Sequence, residues 1–415
     1  MTGAAVDARA YAAALAALPG MGAAGLVALL RGGDPASAWR LVLEGSARRP
    51  PRRLDQRLVR RRDRPSWPEG IDGHGHEQPD REPAPPSDRR SEGPARDDRD
   101  GWSWDRAAAG VDVAGRWEQL GSAGIGVTYL GAPDYPVALR DDPEPPAVLF
   151  WRGDLAVLDR VCVAIVGTRR CTSYGRDVAR RLGGDLARAG LGVVSGLALG
   201  IDGAAHAGAL EALGPTTVGV AASGVDVVYP RRHARLWADV VARGLVLSEA
   251  APGQSAQAWR FPARNRILAG LSRAVVVVES HARGGTMHTV EAAADRGIEV
   301  LAVPGPVTSP ASAGTNQLLR EGRPPVRDFR DVLDELGDFR ALPGGQLPLA
   351  AGPPAVRLDR QARQVVAAVD WTPTATATIA ERVALPLGVL SATLVSLEGL
   401  GLIRGDGGWW ERAGC

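Results

Sequence analysis

The chain has 415 residues, 45% of them hydrophobic and 23% charged, with a formal net charge of +2, the composition of a globular protein of roughly two to three domains. All 49 basic residues are arginine and lysine is absent, which excludes chemistry that needs an amine: a Walker-A phosphate lysine, a Schiff base, a pyridoxal anchor. No uninterrupted apolar run is long enough for a membrane span, and Cys162, Cys171 and Cys415 show no CxxC spacing, so neither a disulfide framework nor a zinc site is expected and a reducing cytoplasm fits.

In chain order, residues 1–46 read as short helices without the basic and apolar regions of a signal peptide. The stretch LAALPGMGAAGLVALLRGG (Leu15 to Gly33) sets a Pro-Gly turn between two apolar segments. It resembles a helix-hairpin-helix or SAM-like module, which either holds a DNA phosphate at a helix start or simply packs. Residues 47–104 differ. Arginine, aspartate and proline dominate, and the only large apolar residues between Pro51 and Asp100 are Leu54, Leu58, Val59, Trp67 and Ile71. Such a segment cannot bury a core and is expected to be disordered. Its GHGH histidines, His74 and His76, are weak metal ligands without a shaped second shell.

From 105 to 337 apolar runs of strand length alternate with amphipathic helices. The strands expected are 161–167, 191–196, 217–223, 245–249, 274–280 and 298–305. All-apolar strands between helices imply a parallel sheet covered on both faces, hence an α/β fold with a doubly wound Rossmann-like sheet. Residues 338–356 form a Pro/Gly-rich linker. Residues 357–415 read as three helices and a short β-wing ending in GWWER, the pattern of a winged helix. Its recognition helix, Pro386 to Glu398, carries no basic residue, so DNA reading by this module is doubtful and protein contact is at least as good an account.

Each sheet strand ends in a polar or glycine-rich cluster, and ligands bind outside the carboxyl ends of such strands. The ends read GTRRCTSYG (167–175), SGLALGIDGAAH (195–206), SGVDVVYP (223–230), SEAAPG (248–253), ESHARGGTMHT (279–289) and VPG (303–305). The first turn, Gly167-Thr168-Arg169, is not GxGxxG. Strand 191–196 ends in Ser195-Gly196 without an acidic residue for a ribose, so no dinucleotide cofactor is expected. An arginine there suits a phosphodiester instead.

Arg260, Phe261, Arg264, Asn265 and Arg266 put three arginines, an amide and a ring within seven residues. They pair phosphates with base stacking, or else form a solvated basic face. With so small a net charge, any nucleic-acid footprint is a local patch of this kind. Gly285 and Thr286 open a helix whose amides can cradle an anion. His206 either forms a dyad with Asp202 or ties a turn in place, and the second is preferred. No Ser-His-Asp or Cys-His signature surrounds a nucleophile.

Taken together these segments resemble the DNA-processing protein A (DprA, or Smf) family. GTRRCTSYG looks like its G-[ST]-R…[ST]-x-Y-G motif, SGLALGIDGAAH its SG-x-A-x-G-I-D-x-x-A-H, SGVDVVYP its G-x-D-x-x-Y-P, and WRFPARNRILAGLS its F-P-x-R-N-R-I-I-A-G-L-S. AVVVVES followed by GGT resembles its fifth-strand loop, and AVPGPV with Gly314 and Asn316 its P-G…G-x-N ending. The resemblance spans about 125 to 325. Departures are Gly284 where the family has serine, Arg260 where many members have lysine, and the 47–104 insertion.

The resemblance implies a homodimer without catalytic activity that binds single-stranded DNA on its rim, protects incoming DNA in natural transformation and loads RecA recombinase. The DNA contacts it implies are Gly167, Thr168, Arg169, Ser195, Gly196, Arg260, Phe261, Arg264, Asn265, Arg266, Gly285 and Thr286. Gly200, Asp202, His206, Tyr229, Pro304, Gly305 and Asn316 would be structural. No metal or cofactor is implied. The rival is a LOG-type nucleoside monophosphate phosphoribohydrolase. For that enzyme the loop from Arg283 to Glu291 lacks the Pro-Gly-Gly opening, and its acid is one residue too far along.

Overall fold

A computed structural model describes residues 6–31, 33–47, 103–337 and 358–412. Nearly all of the expected 47–104 insertion, with His74 and His76, and the expected 338–356 linker lie outside the described residues, as does Cys415.

Among the described residues, one compact unit comprises those up to Ala123, with Val127–Pro133 and Pro146–Val148. Its helices Ala8–Ala17, Ala23–Arg31 and Pro35–Leu43 match the expected short helices. Their starts are written in the sequence. Asp7 accepts from the Arg9 amide at 2.9 Å, and Asp34, just before Pro35, accepts from Ala36 at 2.9 Å and Ser37 at 3.2 Å, satisfying donors that have no partner within the helix. Helices Trp104–Ala109 and Val113–Ser122 pack on Pro35–Leu43 and Ala8–Ala17. Trp104 and Ala108 are buried, and a helix this short cannot bury an apolar face without neighbours.

The sheet has eight strands: β1 (Gly126–Tyr129), β2 (Val148–Gly153), β3 (Cys162–Val166), β4 (Gly192–Ser195), β5 (Thr217–Val220), β6 (Leu245–Ser248), β7 (Ala274–Val277) and β8 (Glu299–Ala302). Their order is β1-β2-β6-β5-β4-β3-β7-β8. Strands β3 to β8 are the six expected and pair in parallel. β2 was not foreseen as part of the sheet and pairs antiparallel with β6. Only the short turn Leu155–Asp159 separates it from β3, too little for the crossover helix a parallel connection needs.

All residues of β3 through β7 are buried, as a sheet covered on both faces requires. Helix Ser173–Arg188 shows how the cover forms. Thr172 caps it by accepting from the Gly175 amide at 3.1 Å, and Ala179, Leu182 and Leu186 recur at helical spacing into the core with Ile165, Val193 and Val276.

Residues 358–412 form a winged helix. Helices Arg360–Ala368, Thr376–Val383 and Leu387–Gly399 close on a core of Val365, Ile379, Leu390, Leu394, Leu397 and Ile403. β9 (Thr374–Ala375), β10 (Ile403–Asp406) and β11 (Trp409–Arg412) make the wing, in the order β10-β11-β9. Among the described residues no single helix is long and apolar enough to cross a membrane.

Candidate nucleic-acid interface

The chain builds outward from β3 through β4 and β5 to β6, then returns to place β7 on the other side of β3. The loops after β3 and β7 therefore diverge, and the crevice between them is where an open α/β sheet binds ligands. A cleft of about 510 Å³ lies there, lined among others by Thr168, Arg169, Arg170, Phe261, Gly285 and Thr286.

Its floor is a hydrogen-bonded frame. The Thr168 amide donates to the Glu279 carbonyl at 2.8 Å, and the Thr168 carbonyl accepts from the Ile201 amide at 3.3 Å. Gly200 permits that approach. Its φ is +79°, and a Cβ would lie 2.4 Å from the Thr168 oxygen. The buried Glu279 carboxylate accepts from the Thr172 amide at 2.9 Å and its hydroxyl at 2.5 Å, holding the helix start beside the loop. Tyr174 donates to the Pro304 carbonyl at 2.8 Å. Gly305 and Asn316 exchange hydrogen bonds at 3.3 and 3.1 Å.

Above the frame, the Arg169 guanidinium carbon lies 4.9 Å from the centroid of the Phe261 ring, and Phe261 meets Tyr229 at 5.7 Å between centroids, tilted by 53°. Arg169 is exposed, and among the described residues no hydrogen bond or ion pair occupies it. Gly284 and Gly285, which open helix Gly285–Ala294, are exposed and bare, so the helix amides face the cleft with no side chain over them.

Other expected contacts are engaged inside the fold. Arg264 is buried, and its Nη1 donates to the carbonyls of Gly196 and Val220, both at 2.6 Å, while Nε donates to Asn265 at 3.1 Å. Gly196 leaves the room, since a Cβ there would sit 2.3 Å from Arg264 Nη1. Arg266 forks onto Glu249 at 2.8 and 2.9 Å. Ser195 is buried and donates to the Ile165 carbonyl at 2.6 Å. Asn265 reaches the Gly285 carbonyl at 3.5 Å. Arg260 bonds Gln254 and lies against Trp259. Arg264, Arg266 and Ser195 are thus held by partners within the fold. The run of like residues is arranged around a helix, and successive side chains point in different directions.

The hydrogen-bond partner of His206 is Thr217, at 2.7 Å. Thr217 in turn donates to the Val193 carbonyl at 3.1 Å, so His206 Nδ1 is the donor to Thr217. Burial, with His233 and Arg264 nearby, pushes its pKa down to about 3. Asp202 accepts from the Gly196 amide at 3.1 Å, and burial raises its pKa against the pull of Arg264.

His281 and His288, two histidines that the sequence offers as catalytic candidates, also line the cleft, as does Arg170, which sequence reasoning gave no role although it adjoins Arg169. Tyr229, expected to be structural, is also part of the aromatic row and 37% exposed. Glu291, the acid a phosphoribohydrolase reading would need, is outside the cleft lining and pairs with His288 at 3.3 Å on an exposed helix face.

Residues 126–337 match the family described as DNA recombination-mediator protein A, and residues 349–408 match the DprA winged helix domain. The DNA processing protein DprA of Bacillus subtilis is 39% identical over 214 residues, 51% of this chain and 72% of its own length. That of Streptococcus pneumoniae is 41% identical over 201 residues, 48% and 71% of the two chains. The X-ray structure of DNA processing protein A from Streptococcus pneumoniae matches with a TM-score of 0.52 and 36% identity, covering 56% of this chain and 81% of that one.

Proposed function

Because the chain belongs to the DNA recombination-mediator protein A family, we propose that it binds single-stranded DNA across the cleft between the β3 and β7 loops, without cleaving it. The observation that carries this is the Arg169–Phe261 pair. A cation open to a phosphate sits on a ring open to a base, beside the exposed amides of Gly284 and Gly285. An unpaired strand offers both partners, whereas a duplex keeps its bases stacked inside. The cleft holds phosphate partners and little base-edge chemistry, so binding is insensitive to sequence. Arg169, Arg170, Phe261, Gly285 and Thr286 make the direct contacts, with Gly167 and Thr168 presenting the loop.

In the cell the protein shields incoming single strands in the cytoplasm and delivers them to RecA recombinase. The family's description as a recombination mediator supports this. It works as a homodimer, since two linked rims hold one strand with greater avidity than either alone. The test is binding of oligo-dT against a duplex of equal length at two salt concentrations, with light scattering for the dimer and RecA filament formation on the bound strand. Equal affinity for the duplex would refute the rim. Release of adenine and ribose 5-phosphate from AMP would replace the binding role with the phosphoribohydrolase one.

A further inference from the structure

Beyond the cleft lining, Trp259 is a large ring exposed in a fixed pose without an evident structural task. Trp259 caps helix Arg260–Gly270 and is 64% exposed. Its Nε1 donates to Gln257 at 2.6 Å, and the Arg260 guanidinium carbon backs the ring at 4.9 Å from the centroid. Arg260 bonds Gln254 through Nη2, while its Nε and Nη1 are shielded from solvent with no hydrogen-bond partner. An arginine with two covered, unpartnered donors is not presenting its charge outward. It is held against the ring, which it stabilises through the cation–π interaction. One ring face is thereby taken and the indole's orientation is set, while much of the side chain remains in water.

We propose that Trp259 is a second stacking platform for an unpaired nucleobase, and that Arg260 is its positioning residue. This rests on the rim reading above and extends it. Trp259 and Phe261 are two residues apart at a helix start, where side chains diverge by about 200°. The two rings cannot sandwich one base, so they serve different nucleotides, and a strand leaving Phe261 reaches Trp259 by passing around the helix end. A nucleobase is the fitting occupant because Trp259 adjoins the start of the helix that carries Phe261, the ring the rim reading gives to a base. Exposed Arg231 and Arg235 follow Tyr229 in the chain and supply charge for the phosphates between bases.

The experiment uses the full chain and labelled oligo-dT in three forms: a short strand that fills only the cleft, a long strand, and the long strand made abasic. Trp259→Ala is expected to bind the long strand about tenfold more weakly, with the short and abasic strands unchanged and the melting temperature kept. Trp259→Phe and Arg260→Lys retain most of the affinity for the long strand. Arg260→Met loses it with the same length dependence. If Trp259→Ala matches the parent on the long strand while Arg169→Ala is weak, the platform is wrong and the rim survives. If Trp259→Ala weakens all three strands alike, the ring is not stacking on a base. If Arg169→Ala and Trp259→Ala both bind as the parent does, the rim itself fails.

Discussion

The guanidinium carbon of Arg169 lies 4.9 Å from the centroid of the Phe261 ring, although the two residues are far apart in the chain. The loop after β3 and the helix before β7 meet at this contact. It joins a phosphate ligand to a stacking ring, and each restrains the other before any strand arrives, so less ordering is left to the moment of binding.

Arg169→Ala is accordingly expected to weaken oligo-dT binding by about tenfold or more, as loss of one charge-assisted contact does, with an unchanged melting temperature. Arg169→Lys keeps the charge and loses the planar fork, so rescue is partial. The slope of affinity against salt should also shrink in Arg169→Ala, by about 0.7 for one lost phosphate. Fluorescence anisotropy across a salt series measures both.

Arg266→Ala should behave oppositely. Its partner Glu249 is left with a half-buried, unpaired carboxylate, which costs about 1–3 kcal/mol of stability. The expected outcome is a melting temperature several degrees lower and an oligo-dT affinity within about twofold of the parent once folded protein is counted. A large affinity loss at constant stability would return Arg266 to the binding surface.

His206 predicts an acid sensitivity with a definite sign. Its folded pKa is held near 3, below the ordinary value of 6.5. Above pH 6.5 both states are neutral and the contribution is complete. As pH falls from 6.5 toward 3 the unfolded chain takes up a proton that the folded one refuses, and stability declines by up to about 1.4 kcal/mol per pH unit. His206→Ala should therefore be less stable at pH 7.5 but lose less on acidification. Denaturant midpoints at several pH values check this, and identical slopes would mean that the ring is not kept neutral.

Gly200→Ala is expected to damage stability and DNA binding together. The residue needs φ of +79°, and the new methyl would meet the carbonyls of Thr168 and Arg169 at 2.4 and 2.7 Å. The left-handed backbone alone costs about 1–3 kcal/mol, and relief of the clash moves the loop that carries Arg169. Parent-like binding in this variant would show that the loop position does not matter.

Much of this protein is legible without coordinates. The six parallel strands announce themselves as short all-apolar runs, the helices by aspartates and threonines at their starts, and the ligand-binding rim by glycine and polar residues at each strand end. Those signals are local, because strand length, helical period and capping are each decided within a few residues. The sequence by itself therefore determined the α/β class, the winged helix and the segments that meet at the cleft.

It did not determine which arginine does what. Arg169, Arg260, Arg264 and Arg266 are alike as letters, yet one lies open on Phe261, one backs Trp259, one is buried on the carbonyls of Gly196 and Val220, and one is forked onto Glu249. The partners come from strands and loops remote in the chain. Helices Trp104–Ala109 and Val113–Ser122 joined the N-terminal unit, and β2 joined the sheet between β1 and β6, for the same reason. A charge is available to a ligand only if nothing in the fold has already satisfied it, and that depends on packing between distant segments, which only the tertiary structure decides.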